Sequence, residues 1–261
     1  MDELFCVLHK DPAYSPERTA DFLALERCVG REEAAAAFKK SQGFLLENAS
    51  LGKASAFNLR ASAFGFETLL LSRRDLRPPP PAAAVLKIEF KTEGFYYVSN
   101  SVREHLPYDS VKAVAACAFS VETPPKDAAG TEAGLISSLR ARYFPFALPF
   151  GEKYESPPVT PLPPAPAKET VFLADLLAGP APLRLTLACD THDYSGLGPK
   201  KTLSSFENFR ILMEELSARA PGAVRNHFLR ALLEKKNLSG LKYPSAEAYE
   251  KELEWLATIL N

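Results

Sequence analysis

A chain of 261 residues that is 46% hydrophobic and 24% charged is long and apolar enough for one large or two small cores. Lys and Arg total 31 against 32 Asp and Glu, a formal net charge of −1. That balance excludes a strongly basic nucleic-acid binder, and the apolar content excludes global disorder. The outlier is proline: 22 residues, where ordinary usage of about 5% predicts roughly 13.

The start, Met1 to Phe5, is acidic and lacks the basic end and longer apolar core of a secretory signal. No stretch approaches the roughly 18 uncharged apolar residues that span a bilayer. Cys6, Cys28, Cys117 and Cys189 are scattered among apolar neighbours, without the short spacing of a zinc knuckle or redox pair. The four histidines lie in four different segments. The expectation is a cytoplasmic protein with reduced thiols, no metal and no cofactor.

In chain order, Leu4 to Leu8 predicts a strand, and Asp11-Pro12-Ala13-Tyr14 a turn. Ser15 followed by Pro16 is an N-cap with proline at the first helical position. That helix carries Phe22, Leu23 and Leu25 to about Cys28 and stops at Gly30. Glu32 to Lys40 predicts an alanine-rich helix closed by Gly43, and Phe44-Leu45-Leu46 a strand. Ser50 opens a helix with Ala54, Phe57, Leu59 and Ala61 that ends at Gly65. Phe66 to Leu71 predicts a further strand. Residues 1–76 therefore read as a βααβαβ module.

Pro78 to Pro81 with Ala82 to Ala84 predict a stiff extended spacer over 77–84. Beyond it, Leu86, Ile88 and Phe90 alternate with Lys87 and Glu89 at the two-residue period of a half-buried strand. Phe95 to Val98, Val111 to Val121, Val171 to Leu177 and Leu183 to Cys189 are further strands. Gly179-Pro180 marks a hairpin. Between them a proline-rich excursion covers about 122–168, where neither helix nor central strand can run. Ser204-Ser205-Phe206-Glu207 is a capping box opening a helix with Phe206, Phe209, Met213 and Leu216 on one face. Residues 85–220 form this second unit, and 221–261 a helical extension striped by Val224, Phe228 and Leu232, then Tyr249, Leu253, Leu256 and Leu260. The fold class is α+β.

Two resemblances attach to these residues. Phe5 to Asp11, Glu33-Ala34 to Gly43, and Ser50 to Gly65 with Phe66 resemble the element order of the adaptor ClpS and of the ribosomal protein L7/L12 C-terminal domain. ClpS holds a peptide's N-terminal amine through an Asn-Asp-Asp run after the first strand and a His shortly before the glycine. Here His9-Lys10-Asp11 keeps at most one carboxylate, and Lys40 is a cation where the amine would dock. The resemblance thus implies a small interaction module with a changed surface. In the second unit, strands closed by an amphipathic helix, with Leu106-Pro107-Tyr108-Asp109-Ser110-Val111, resemble a bacterial pleckstrin-homology-like barrel.

Candidate chemistry is sparse. Asp190, His192 and Asp193 are the acid–base candidates, because a carboxylate orients an imidazole and raises its pKa. The competing account is a turn in which Asp and Ser cap backbone amides. Gly196-Leu197-Gly198-Pro199-Lys200-Lys201 offers glycines and cations but is no phosphate loop. Lys200 and Lys201, with Arg140 and Arg142 in a short basic amphipathic stretch, are candidates for an anion, a partner or an anionic lipid surface. The Tyr96-Tyr97 and Phe144-Pro145-Phe146 pairs read as core packing, since no positive field surrounds them. The sequence favours a non-enzymatic interaction or scaffold protein whose partner is another protein. An enzyme or a peripheral lipid binder is the alternative, and specific nucleic-acid binding is not expected.

Overall fold

The computed structural model describes residues 3–123, 167–179 and 181–260. The first half follows the expected order: β1 (Phe5–His9), α1 (Pro16–Arg27), α2 (Arg31–Phe38), β2 (Phe44–Ala49), α3 (Leu51–Ala63) and β3 (Thr68–Ser72). Ser15 caps α1 by accepting from the Arg18 amide, and Cys28 ends it in a left-handed conformation. β1 lies between β2 and β3, antiparallel to both. Cys6, Val7, Leu8 and His9 are all buried, so β1 is covered on both faces and reads as a continuous apolar run rather than an alternation.

Alpha helix α3 packs on this sheet, and the last helix of the chain packs against it as well. That helix, α6 (Ala246–Ile259), donates Trp255 Nε1 to the His9 carbonyl at 2.7 Å. Gly43 lies under the same indole: it has φ +86°, and a Cβ there would sit 2.1 Å from Trp255. Only glycine permits both the turn and the contact.

The second half holds β4 (Ala82–Ala84), β5 (Lys87–Phe90), β6 (Gly94–Ser99), β7 (Val102–Pro107), β8 (Val111–Thr123), β9 (Ala167–Ala178), β10 (Leu183–Ala188), α4 (Ser205–Arg219), β11 (Val224–Arg225), α5 (His227–Leu233) and α6. They make a five-stranded sheet ordered β11-β8-β9-β10-β4 and a three-stranded meander β5-β6-β7. α+β is therefore the class observed. Neither sheet closes into the barrel that was expected. The outer strands β11 and β4 are two and three residues long and pair parallel to their neighbours, and the chain passes from the large sheet to the meander at Val85 and Leu86, whose amides donate to the Thr186 and Val98 carbonyls at 2.8 and 2.9 Å.

Three segments depart from the sequence reading. Ala82–Ala84, expected as the end of a spacer, register with Arg184 to Thr186 of β10. β7 carries an exposed run, Val102 to His105, where no strand was expected. Val224, assigned to a helical stripe, belongs to β11. The buried core is continuous from β1 through the second sheet to α6. The proline-rich excursion lies outside the described residues between Thr123 and Ala167, as do Phe144-Pro145-Phe146.

Candidate functional site

The turn after β10 does not assemble the acid–base set. His192 is buried, and its Nδ1 donates to the Val85 carbonyl at 3.2 Å. Burial drives its pKa down to about 4 against weaker upward pulls from that carbonyl and from Asp193. Asp193 accepts from the Ser195 amide and hydroxyl, each at 2.8 Å, and those bonds hold its carboxyl below the usual range. Asp190 is exposed on the turn. The Tyr194 hydroxyl donates to the Cys189 carbonyl at 2.7 Å. The turn is tied to the segment just before β5 at two points, His192 to the Val85 carbonyl and the Asp193 amide to the Leu86 carbonyl at 2.7 Å.

The glycine–lysine turn is similarly engaged. A Cβ at Gly196 would meet the Ile88 carbonyl oxygen at 1.8 Å, so this glycine serves a close backbone approach rather than a ligand. Lys200 pairs with Glu215 of α4, whose carboxyl it holds low, and Arg219 reaches the same carboxylate at 3.2 Å. Lys201 is exposed. Arg140 and Arg142 lie outside the described residues. Of the named candidates, then, the structure places His192 and Asp193 side by side and sends their bonds in different directions.

A different region offers room. Two adjoining hollows of about 300 and 560 Å³ lie between α1–α2 and α5 with the segment after it. Both are lined by Pro16, Glu17, His227, Gly240 and Leu241. The floor is apolar, from Ala20, Ala35, Phe38, Phe228 and Tyr243; the rim carries Arg31, Glu32 and Lys39 on one side, Arg230, Glu234 and Lys236 on the other. Lys39 spans the cleft to the Gly240 carbonyl at 2.6 Å. His227 is half-buried, and burial and the Arg230 charge lower its pKa. Arg31 pairs with Asp21 at 2.5 Å, and Lys236 with Glu234 at 2.5 Å.

Behind this cleft lies a buried polar junction. Glu252, 1% exposed, accepts from the Tyr243 hydroxyl and from Asn226 Nδ2 at 2.8 Å. Desolvation raises its pKa to about 7 against those two bonds. Asn226 also accepts from the Ala116 amide at 3.0 Å and donates to the Ala116 carbonyl at 2.8 Å. Buried and without a hydrogen-bond partner nearby are Tyr14 Oη and Arg230 Nε.

The cleft leaves no local mark in the sequence because its walls come from segments some two hundred positions apart. For Glu252 a signal existed: a carboxylate three residues after Tyr249 sits on the apolar stripe, where an acid has to be answered by partners or neutralised. Among the described residues no group of three or more His, Cys, Asp or Glu is arranged to hold a metal ion, and no helix is long and apolar enough to cross a membrane. In comparisons with known proteins, no family model, curated protein or solved structure matches the chain.

Proposed function

We propose that the protein acts by binding another protein, as an interaction or scaffold component, and that the α1–α2/α5 cleft is its docking site. The observation that carries this is the cleft's make-up: an apolar floor of Ala20, Phe38 and Phe228 within a rim of both charges. Such a floor receives an apolar side chain, and a rim of mixed sign fixes register through several weak contacts. A partner segment with one large apolar anchor between polar residues fits it. The resemblance of residues 1–76 to small interaction modules supports the same reading. Residence in the cytoplasm belongs to this proposal too: Cys6, Cys117 and Cys189 are buried and unpaired, as reduced thiols packed as small apolar groups are.

Ala35 is a half-buried residue of the cleft floor, so Ala35→Trp fills the hollow from a helix surface. Affinity capture from the native cell, compared between the wild type and this variant at matched folding by circular dichroism, tests the reading. A reproducible partner retained by the wild type and lost by Ala35→Trp is the expected result. Capture profiles that are identical, or that contain background proteins alone, would overturn it.

A further inference from the structure

Helix α6 touches both halves of the molecule, and at its middle it carries a carboxyl shielded from water. Four other elements face Glu252. Tyr243 ahead of the helix and Asn226 at the start of α5 donate to it. Arg230 of α5 is the cation acting on it, while Tyr14 of the β1–α1 loop and Cys117 of β8 face it as neutral groups whose ionisation it opposes. On α6 itself the neighbouring charges turn elsewhere: Glu250 to Arg184 and Lys251 to Glu47. Among the described residues no cation bonds Glu252 directly, and the Arg230 guanidinium instead donates to the Pro12 carbonyl at 3.0 Å.

A neutral acid at this position can still accept both bonds, since both fall on Oε2 and leave Oε1 to carry the proton. A carboxylate there, 1% exposed, has two donors and no bonded counter-ion, which is costly in a dry interior. We propose that Glu252 is a pH-controlled latch: protonated, it lets α6 clasp the first sheet to the second, and its ionisation loosens that clasp.

The contacts released are specific. Along the same helix, Trp255 donates to the His9 carbonyl at 2.7 Å, Lys251 pairs with Glu47, and the Thr258 hydroxyl accepts from the Arg77 amide at 3.0 Å. Asn226 carries the effect further, because it also caps α5 by accepting from the Leu229 amide at 3.0 Å and holds Ala116 of β8. The latch therefore connects α6, α5 and the middle of the large sheet. This inference stands whatever the cleft binds.

Clasped, the acid titrates at about 7; released to water it returns toward 4.5. Opening is thus weakest in acid, grows by up to about tenfold per pH unit between those values, and levels off above them. His9 titrates in the opposite sense over part of this interval, so the measurement is a comparison in which His9 is unchanged. Amide hydrogen exchange of α6 and β1, corrected for intrinsic rates, is followed on the full chain as wild type and Glu252→Gln. The ratio of their opening constants should climb about 40-fold between pH 5 and 7 and flatten by about pH 8. Parallel profiles would overturn the proposal. Should Glu252→Gln fail to fold, the wild type carries the test through Trp255, the chain's one tryptophan. Its emission should shift to the red in a one-proton step near pH 7, and Tyr243→Phe, which removes a donor to the carboxylate, should move that step upward. Emission unchanged from about pH 5.5 to 8 would equally overturn it.

Discussion

Arg184 is a guanidinium almost wholly removed from water, its side chain 4% exposed, and it is stable there because both of its edges are answered. Its Nε lies 2.6 Å from Asp175, and its fork meets the two oxygens of Glu250 at 2.8 and 2.7 Å. Asp175 is fully buried and also receives the Thr186 hydroxyl. Removing the cation alone strips the buried Asp175 carboxylate of its ion-pair partner. Arg184→Met should therefore cost about 3–5 kcal/mol in urea unfolding, the usual penalty for stranding a buried charge. Asp175→Leu combined with Arg184→Met should recover most of that loss, because the stranded charge is gone. A double variant no more stable than the single would assign the cost to lost packing instead. Arg184→Lys should fall between, keeping a charge but losing the planar fork that meets Glu250 on two oxygens.

At the scale of elements, what the chain announces locally is what the sequence made legible. Ser15-Pro16 states a helix start without reference to anything distant, and so does Ser204, which accepts from the Glu207 amide at 3.3 Å. Glu207 does not complete the box; its carboxylate pairs with Arg210 at 2.5 Å instead. Ser204→Ala should thus lose a single cap, about 1 kcal/mol, seen as a lower thermal midpoint with unchanged far-ultraviolet circular dichroism. No loss would mean that Thr202 and Asn208, which bond across the same turn at 2.6 to 3.1 Å, hold it without the cap. β4 and β7 were illegible for the opposite reason. Three alanines after four prolines carry no period, and β4 is a strand because β10 lies beside it. β7 hides its pattern at an edge, where Arg103 stacks on Tyr96 at 4.1 Å and pairs with Glu89 at 2.7 Å. The turn at residues 190–201 was legible as dense polar chemistry. Its structural use was not, because His192 is fixed by Val85, 107 positions away.

Over the whole molecule, α6 makes the two sheets share one interior, and the ionisable groups sealed in that interior set how stability follows pH. His9 and His192 are both buried as neutral rings, each lowered to about 4 from 6.5, in both cases chiefly by desolvation. As pH falls below 6.5 the unfolded chain takes up protons that the folded chain refuses, so each imidazole withdraws stability progressively down to about 4. Glu252 acts in reverse. Folded, it keeps its proton to about 7, whereas the unfolded chain releases it near 4.5, so its contribution is whole below 4.5 and fades as pH rises to 7. Between 4.5 and 6.5 two imidazoles oppose one carboxyl. Stability should then rise with pH by about one proton's worth, roughly 1.4 kcal/mol per unit, and decline slightly from 6.5 to 7, where only the carboxyl still titrates. His227, lowered in the same sense, steepens the acid side. Urea midpoints from about pH 4 to 8 measure the curve. In Glu252→Gln the acid slope should nearly double and the decline above 6.5 disappear, because the opposing carboxyl is gone. In His192→Gln the slope should drop by about one proton's worth, leaving His9 and the His227 contribution against one carboxyl. A Glu252→Gln protein that keeps the wild-type slope would mean that Glu252 is ionised in the folded state, and the interior would then have to hold its charge through Arg230.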